Sequence, residues 1–143
     1  QRRNWLALLY FQKGMTLIYN GQEAGCETRP SLFDKDPIDW HAGEDISSQL
    51  RALRALRSHP LMAEGSYSVQ DAGNGMLRAT YTLGQRRLMG VFSTRGASAP
   101  VRAPFPDGRY CDLVNGQPVR VEGGLLSVKG EPIIIDSETE EVP

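Results

Sequence analysis

The sequence has little of what would define its class at once: few cysteines, no excess of one charge and no long apolar run. Its 143 residues carry two cysteines and a formal net charge of -1. No apolar segment approaches the roughly 20 residues that cross a bilayer. The balanced charge gives no general attraction to nucleic acid or to an anionic membrane. Neither class of partner is expected, so function must be inferred from individual sites.

The two cysteines give no sign of a metal centre or of a disulfide framework. Cys26 and Cys111 lie far apart in the sequence and lack the spacing of metal ligands. Two free thiols are therefore favoured over a disulfide, and neither is a good candidate for a nucleophile. No metal site, cofactor or catalytic residue is predicted for this chain.

The first half of the sequence predicts a helix, a strand, a loop and a second helix. Asn4 is placed to cap a helix that is apolar on nearly every side, and Gly14 is placed to end it. The continuous apolar run at residues 15–19 is typical of a strand buried on both faces of a parallel sheet. After a long polar loop, an amphipathic helix begins near Glu44 and ends before Pro60.

A single strand between two helices cannot form a parallel sheet, because such a strand needs parallel neighbours. We therefore interpret residues 1 to about 62 as the last portion of a larger α/β domain whose earlier units lie upstream. Leu53, Leu56 and Leu61, in and just after the second helix, are the candidate contacts with the β-domain that follows.

The second half, residues 63–143, has the pattern of an antiparallel β-sandwich. Apolar and polar residues alternate at 77–83, and the next strand at 88–93 follows the Gly84-Gln85 turn, which predicts a hairpin. Glycine and asparagine turns separate further short strands, for a total of six to eight. The acidic segment 137–143 is expected to be a frayed tail. The further strands are predicted at residues 110–114, 119–122, 125–128 and 132–135.

The segment GMTLIYNGQEAG, residues 14–25, resembles the region around the eighth barrel strand in the alpha-amylase family of glycoside hydrolases. In that family a (β/α)8 barrel ends with this strand, a loop and a last helix, and an antiparallel β-domain called domain C follows. DPIDW fits the loop, while GVFST, DGRY, NGQPV and GEPIII fit the strands and turns of such a domain. The resemblance implies an α+β fragment: the last α-β-α portion of a TIM-type barrel, then a β-sandwich.

The resemblance also implies hydrolysis or transfer at α-glucosidic bonds of starch, glycogen or maltooligosaccharides by a retaining mechanism. That mechanism needs a nucleophilic carboxylate and a carboxylic acid about 5 to 5.5 Å apart. The family carries these groups, and a third aspartate, on earlier barrel strands, and none of those motifs occurs here. We therefore expect the chain alone to be inactive and to serve as a scaffold for the rest of the barrel, which would contact the α-glucan.

Four loop residues are candidate substrate ligands at the rim of such a barrel: Asn20, Glu23, Asp36 and Trp40. Each also has a structural interpretation. Glu23 could orient the active-site layer or accept hydrogen bonds within the rim, and Asn20 could lie near the sugar or shape a turn. Trp40 could stack on a pyranose or anchor the loop.

The same loop carries three aspartates, of which Asp36 could reach a sugar hydroxyl. Pro37 and Ile38 break the spacing of a calcium loop, so turns closed by aspartate side chains are the favoured interpretation.

Two other functions remain open at this stage. The β-sandwich could itself bind carbohydrate through exposed aromatic residues, for which Tyr67, Tyr81 and Tyr110 are the candidates. Alternatively, the chain could come from a non-catalytic relative that kept the amylase fold. Self-association of the fragment is a further expectation, because a strand and helices separated from their barrel would expose apolar surface.

Overall fold

The computed structural model describes residues 1–26, 28, 31–41 and 43–141. Within these ranges three helices precede nine strands. The helices are α1 (Arg2–Phe11), α2 (Ser47–Leu56) and α3 (Pro60–Glu64). None of the helices in the described ranges is long and apolar enough to cross a membrane. The strands are β1 (Ser66–Asp71), β2 (Met76–Leu83), β3 (Arg86–Ser93), β4 (Ser98–Arg102), β5 (Gly108–Cys111), β6 (Pro118–Glu122), β7 (Leu125–Lys129), β8 (Ile133–Asp136) and β9 (Glu140–Glu141).

The strands form two antiparallel sheets. Sheet A has the order β1-β2-β3-β8, and sheet B has the order β4-β7-β6-β5-β9. The predicted hairpin is confirmed as β2 and β3, paired from Met76↔Ser93 to Leu83↔Arg86. The prediction missed β1 and β4. Both are edge strands with largely exposed residues, and they therefore lack the apolar alternation that identifies a half-buried strand.

The molecule has three layers, because sheet A is covered on both faces. One apolar cluster joins the three helices to one face of sheet A, where Tyr81, Leu88 and Ile134 lie. A second cluster fills the space between the two sheets and includes Met89 and Ile135. Neighbouring residues of β3 and β8 thus point into different clusters. This is why residues 88–92 of β3 and 133–135 of β8 lack polar alternation although their sheet is antiparallel.

The predicted strand at residues 15–19 does not form, and this part of the interpretation is wrong. The segment has no regular secondary structure, and Leu17 and Tyr19 are 80% and 56% exposed. An extended segment without a neighbouring strand leaves its backbone groups unpaired and its apolar side chains in water. The described residues therefore contain two helices that flank a loop, and no portion of a barrel sheet.

Asn4 does not cap α1, as the sequence suggested, but lies buried within it. Its Nδ2 donates to the Gly130 carbonyl at 2.7 Å, and its Oδ1 accepts from the Ser93 backbone N–H at 2.7 Å. Gln1 occupies the N-cap position instead. The side-chain amide of Asn4 has both a donor and an acceptor, so it links α1 to the end of β3 and to the turn that follows β7.

Side chains from α2 and β2 satisfy the carbonyls at the C-terminal end of α1. Arg57 donates to the carbonyls of Tyr10 and Gln12, at 3.1 and 2.8 Å, and also to that of Gly14. Tyr81 donates its hydroxyl to the Phe11 carbonyl at 2.8 Å. These carbonyls have no partner within the helix. The end of α1 is thereby fixed both to the end of α2 and to sheet A.

The prediction that Leu53, Leu56 and Leu61 contact the β-domain is confirmed. All three are buried in the cluster that contains Tyr81 and Leu88 of sheet A. The helical segment and the β-sheet therefore share one core.

Pro60 ends α2, as predicted, but it also begins α3. His59 is the N-cap of this short helix, and its Nδ1 accepts from the Leu61 backbone N–H at 3.2 Å. Because Nδ1 is an acceptor, Nε2 carries the proton and donates to Asp136 Oδ2 at 2.9 Å. His59 therefore links the helical layer to the buried end of β8.

Replacing His59 by alanine should lower the free energy of unfolding by about 1 to 3 kcal/mol, because Asp136 would lose a partner in a buried place. Chemical denaturation would measure the change. The matched control is His41→Ala, since His41 is an exposed loop residue. Equal stabilities of the two variants would contradict a stabilising role for the His59–Asp136 contact.

The acidic tail is more ordered than predicted. Ser137 and Arg87 exchange hydrogen bonds, and β9 pairs with β5 at Arg109↔Glu141. A short strand on the open edge of β5 satisfies backbone groups that would otherwise face water. Residues 142–143 lie outside the described residues.

Candidate functional site

The loop that follows α1 contains a tightly turned segment at residues 19–26. The Cys26 backbone N–H donates to the Gly21 carbonyl at 3.1 Å, and Glu23 Oε2 accepts from the Gly21 N–H at 3.0 Å. Gly21 has φ +94°, and a Cβ there would lie 3.1 Å from Cγ2 of Ile38. Both observations call for glycine. The Glu23 side chain thus closes this turn.

This segment is held against the N-terminal ends of α1 and α2. Arg2 donates from Nη1 to the Gly25 carbonyl at 3.1 Å, and the Ile46 N–H donates to the Glu23 carbonyl at 3.3 Å. Gly43 lies so close that a Cβ on it would be 2.8 Å from the Gly25 carbonyl oxygen. Residues 19–26 are therefore fixed to the two helices, although no strand precedes them.

Asn20 and Asp36 line one small cavity of about 70 Å3, formed between residues 19–22 and 36–38. Asp36 Oδ2 accepts from the Ser31 N–H at 3.0 Å. The structure therefore brings together two of the four predicted ligands. The Asp36 carboxylate is also hydrogen-bonded to the backbone of its own loop.

Glu23 and Trp40 line a second, larger cavity of about 440 Å3. His41 and Asp45 line it as well, and the Trp40 ring is half-exposed. Hydrogen bonds from the Ser47 side chain and from its backbone N–H hold the pKa of Asp45 below its usual value. This cavity thus offers an aromatic face beside a carboxylate that stays ionised near neutral pH.

The three aspartates of the loop make the predicted turns. The Ser31 hydroxyl donates to Asp34 at 3.2 Å, and Asp39 Oδ1 accepts from the His41 N–H at 2.9 Å. In the part of the chain that the structure describes, no group of three histidine, cysteine, aspartate or glutamate side chains could hold a metal ion. Cys26 and Cys111 are free thiols.

The exposed aromatic platform proposed for the β-sandwich is not present. Tyr81 and Tyr110 are fully buried, and the Tyr67 ring packs on Tyr81 with 4.9 Å between centroids. The phenolic hydroxyl of Tyr110 donates to the Pro106 carbonyl at 2.9 Å. Tyr81 and Tyr110 therefore belong to the core and Tyr67 packs against it, so these three rings do not form the exposed platform that the alternative function required.

Sequence reasoning also missed residues that position the loop. The sequence analysis did not single out Arg2, yet this residue holds the segment at Gly25. The available signal was the presence of glycines at 21, 25 and 43 around a polar loop, since clustered glycines indicate close backbone approach.

Comparison with known families gives a consistent result. Residues 68–135 match the family described as Bacterial Alpha amylase C-terminal domain. A search of curated protein sequences found no significant match. The family match begins within β1 and ends within β8, so it includes strands of both sheets.

Solved structures resemble the chain over almost its whole length. An alpha-amylase from Lactobacillus plantarum has a TM-score of 0.86 and 30% identity, covering 94% of this chain and 32% of that chain. A maltogenic alpha-amylase from Thermotoga neapolitana has a TM-score of 0.76 and 21% identity, with coverages of 94% and 35%. An alpha-amylase from Anoxybacillus has a TM-score of 0.74 and 14% identity, with coverages of 99% and 33%. The last two show likeness of fold alone. The chain spans about a third of the length of these structures.

Proposed function

We infer, from the match of residues 68–135 to the family described as Bacterial Alpha amylase C-terminal domain, that this chain is the C-terminal part of an alpha-amylase-like glycoside hydrolase. Its own role is structural: it would complete and stabilise the catalytic domain of the parent enzyme. The observation that carries this proposal is the shared core of the helices and sheet A. A β-domain that was only attached to the end of an enzyme would not need to share a core with the helices that precede it.

The partner that we propose for the helical segment is the rest of a catalytic (β/α)8 barrel. Trp5 and Leu9 lie four residues apart on one face of α1 and are 52% and 40% exposed, while the opposite face is buried against sheet A. Together with Ile46 they line a cavity of about 330 Å3. An exposed apolar face of this kind favours a protein partner, and residues 14–25 resemble a barrel segment.

The chemistry that we propose for the parent enzyme is retaining cleavage of α-glucans such as starch, glycogen or maltooligosaccharides. It would use two carboxylates about 5 to 5.5 Å apart and a covalent glycosyl intermediate. In this proposal the carboxylates come from the barrel and not from this chain. Asn20, Glu23, Asp36 and Trp40 would lie at the rim, where Trp40 could stack on a sugar ring and Glu23 could hold the rim in place.

A chimera tests the structural role directly. In it, this chain replaces the corresponding third of the Lactobacillus plantarum alpha-amylase, the relative with 30% identity. We expect the chimera to hydrolyse maltoheptaose, whereas this chain alone and the recipient without its last third do not. Trp40→Ala in the chimera should raise KM several-fold with little change in kcat, because it removes binding that is uniform along the reaction.

The exposed face of α1 supplies the matched variants. Trp5→Ser combined with Leu9→Ser should lower the chimera's activity by about tenfold or more, because burial of two large apolar side chains contributes several kcal/mol. Val69→Ser is the control, since Val69 is equally exposed but lies on the edge strand β1. Hydrolysis by this chain alone would overturn the proposal, as would full activity of the recipient without its last third.

A further inference from the structure

The outer edge of β1 is open. β1 lies at one side of sheet A, and among the described residues it pairs only with β2. The outer strands β4, β9 and β8 are protected: β4 contains Pro100, β9 is two residues long, and residues 112–113 bond to Ile134 of β8. β1 has six residues and contains neither proline nor lysine, which commonly block pairing at a sheet edge. It can therefore accept a further strand.

The hydrogen-bond pattern shows which backbone groups of β1 face this open side. Directly after β1, the Ala72 N–H donates to the Met76 carbonyl at 2.9 Å. In an antiparallel pair, residues that bond to the neighbouring strand alternate with residues that bond away from it. Residues 66, 68 and 70 therefore bond to β2, and the N–H and C=O groups of residues 67, 69 and 71 point outward. We call these outward groups the β1 edge.

The turn between β2 and β3 gives the same assignment. Leu83 and Arg86 flank its two residues and therefore form a hydrogen-bonded pair. Every second residue of β2, counted back from Leu83, thus bonds to β3, which leaves residues 78, 80 and 82 to bond to β1. These are the partners of residues 70, 68 and 66 in the register of the two strands.

The β1 edge is complementary to itself. When a second β1 lies antiparallel to the first and the pair is centred on Val69, each outward residue lies opposite an outward residue of the other copy. Val69 then lies opposite Val69, and Tyr67 lies opposite Asp71, so all outward N–H and C=O groups have a partner. A two-fold register centred on residue 68 or 70 leaves one outward residue of each strand without a partner in β1.

The side chains also fit the register centred on Val69. Val69 is 51% exposed on the face of sheet A that carries the helices, and a second Val69 would cover it. Asp71 is the only charged residue of β1. The two Asp71 residues would be four positions apart along the strands, or about 13 Å at about 3.3 Å per residue, so like charges do not lie opposite each other.

We propose that two copies of this chain associate through the β1 edge, so that their two sheets A form one continuous antiparallel sheet. The two-fold axis is perpendicular to this sheet, and the helices of both copies therefore lie on the same face. A contact of one short strand is smaller than a standard interface, so the dissociation constant should be roughly 0.1 mM. α1 packs on β3, two strands away from β1, so the proposal goes beyond the barrel contact proposed for α1.

Sedimentation velocity of this chain tests the association at about 10 µM to about 1 mM, concentrations on either side of that dissociation constant. We expect the average mass to rise toward that of a dimer. Val69→Lys places two ammonium groups opposite each other and should weaken association roughly tenfold. Leu125→Lys is the matched control, because Leu125 is 43% exposed but lies in β7 of sheet B. A chain that stays monomeric throughout, or an equal loss in both lysine variants, would overturn the proposal.

An exchange of charge tests the register. Val69→Lys and Val69→Glu should each be largely monomeric alone, whereas a mixture of the two should associate, because only a register centred on residue 69 places the two side chains opposite each other. A mixture that stays monomeric would show that the register is wrong. Trp5→Ser combined with Leu9→Ser should associate like the unmodified chain. Loss of association in that variant would assign the contact to the exposed face of α1 instead.

Amide hydrogen exchange, followed by NMR, tests the geometry without any substitution. The N–H groups of Ser68 and Gln70 bond to β2 and should exchange slowly at every concentration. Exchange at residues 67, 69 and 71 should slow roughly fivefold at about 1 mM, since about four-fifths of the chains would then be paired. Unchanged exchange at these three residues in a solution that contains dimers would contradict the proposal. Activity of the chimera does not depend on this contact, so the chimera tests the structural role separately.

Discussion

Between pH 4 and pH 6 we expect the unmodified protein to lose about 3 kcal/mol of its free energy of unfolding. The Asp112→Asn variant should not show this loss. Burial raises the pKa of the Asp112 carboxyl from 3.8 to about 6, against the opposing effect of hydrogen bonds from the Ile134 and Val114 N–H groups. The folded state therefore binds this proton more tightly than the unfolded state does.

The direction of the effect follows from that difference. Below about pH 4 both states are protonated at Asp112, and the favourable contribution is fully present. As the pH rises through the folded pKa of about 6, a charge must be held in the buried place, and the contribution is lost. Asparagine is neutral at every pH, so its curve lacks this change.

The measurement is the free energy of unfolding of both proteins in urea at intervals from pH 4 to pH 8. The difference between the two proteins cancels the titration of all shared groups. Asp112→Ala is the matched control: it should be less stable than Asp112→Asn by about 2 kcal/mol at each pH, because two backbone N–H groups lose their acceptor. Parallel curves for aspartate and asparagine would show that the carboxyl is not buried as described.

Phe11→Ala is expected to lower the free energy of unfolding by about 3 to 5 kcal/mol, the cost of removing a large ring from a core. Phe11 is buried where α1 meets sheet A. Its ring centroid lies 5.2 Å from that of Tyr81 and 5.6 Å from that of Phe92. An alanine there would leave a cavity in the cluster that joins the helices to the sheet.

Trp5→Ala is the matched control for this prediction, because Trp5 is on the same helix but half-exposed. In this chain it should change stability by less than about 1 kcal/mol. Unfolding would be followed by near-ultraviolet and far-ultraviolet circular dichroism. If the helices and the β-domain share a core, the two signals coincide in the unmodified protein, and a separate early transition of the helices would contradict that arrangement.

The β-domain could be predicted well because its signals are local. The Gly84-Gln85 turn and the alternation before it define the β2–β3 hairpin without reference to the rest of the chain. The edge strands β1 and β4 lacked such a signal. Their pairing depends on a neighbour's free edge, and Pro100 in β4 is tolerated only because that strand is at the edge of sheet B.

The first half was predicted less well because the same apolar pattern occurs in a strand and in a segment without regular secondary structure. Continuous apolar runs occur at residues 15–19 and in β8, and only β8 is a strand. β8 pairs with β3 and is covered on both faces, whereas residues 15–19 have no strand beside them. A run of apolar residues indicates that a segment is stabilised by burial. The run does not indicate whether the neighbouring strand that would bury the segment is present.

The candidate site shows a similar limit. Asn20, Glu23, Asp36 and Trp40 were predicted from one loop, but they are divided between two cavities. The division depends on hydrogen bonds of single side chains to the backbone, such as that of Glu23 to Gly21. The burial of Asp112 and Gln49 was not predicted either.

The two hydrogen bonds of Asn4 have a consequence for how the chain is made. One of them joins residues 126 positions apart, so α1 is synthesised well before its partner at Gly130. Contacts of such long range slow folding, because the intervening chain must be ordered before they form. Until β8 has been synthesised and has joined sheet A, the buried face of α1 lacks part of its cover. A chaperone would therefore have to protect the buried face of α1 until the β-domain is complete.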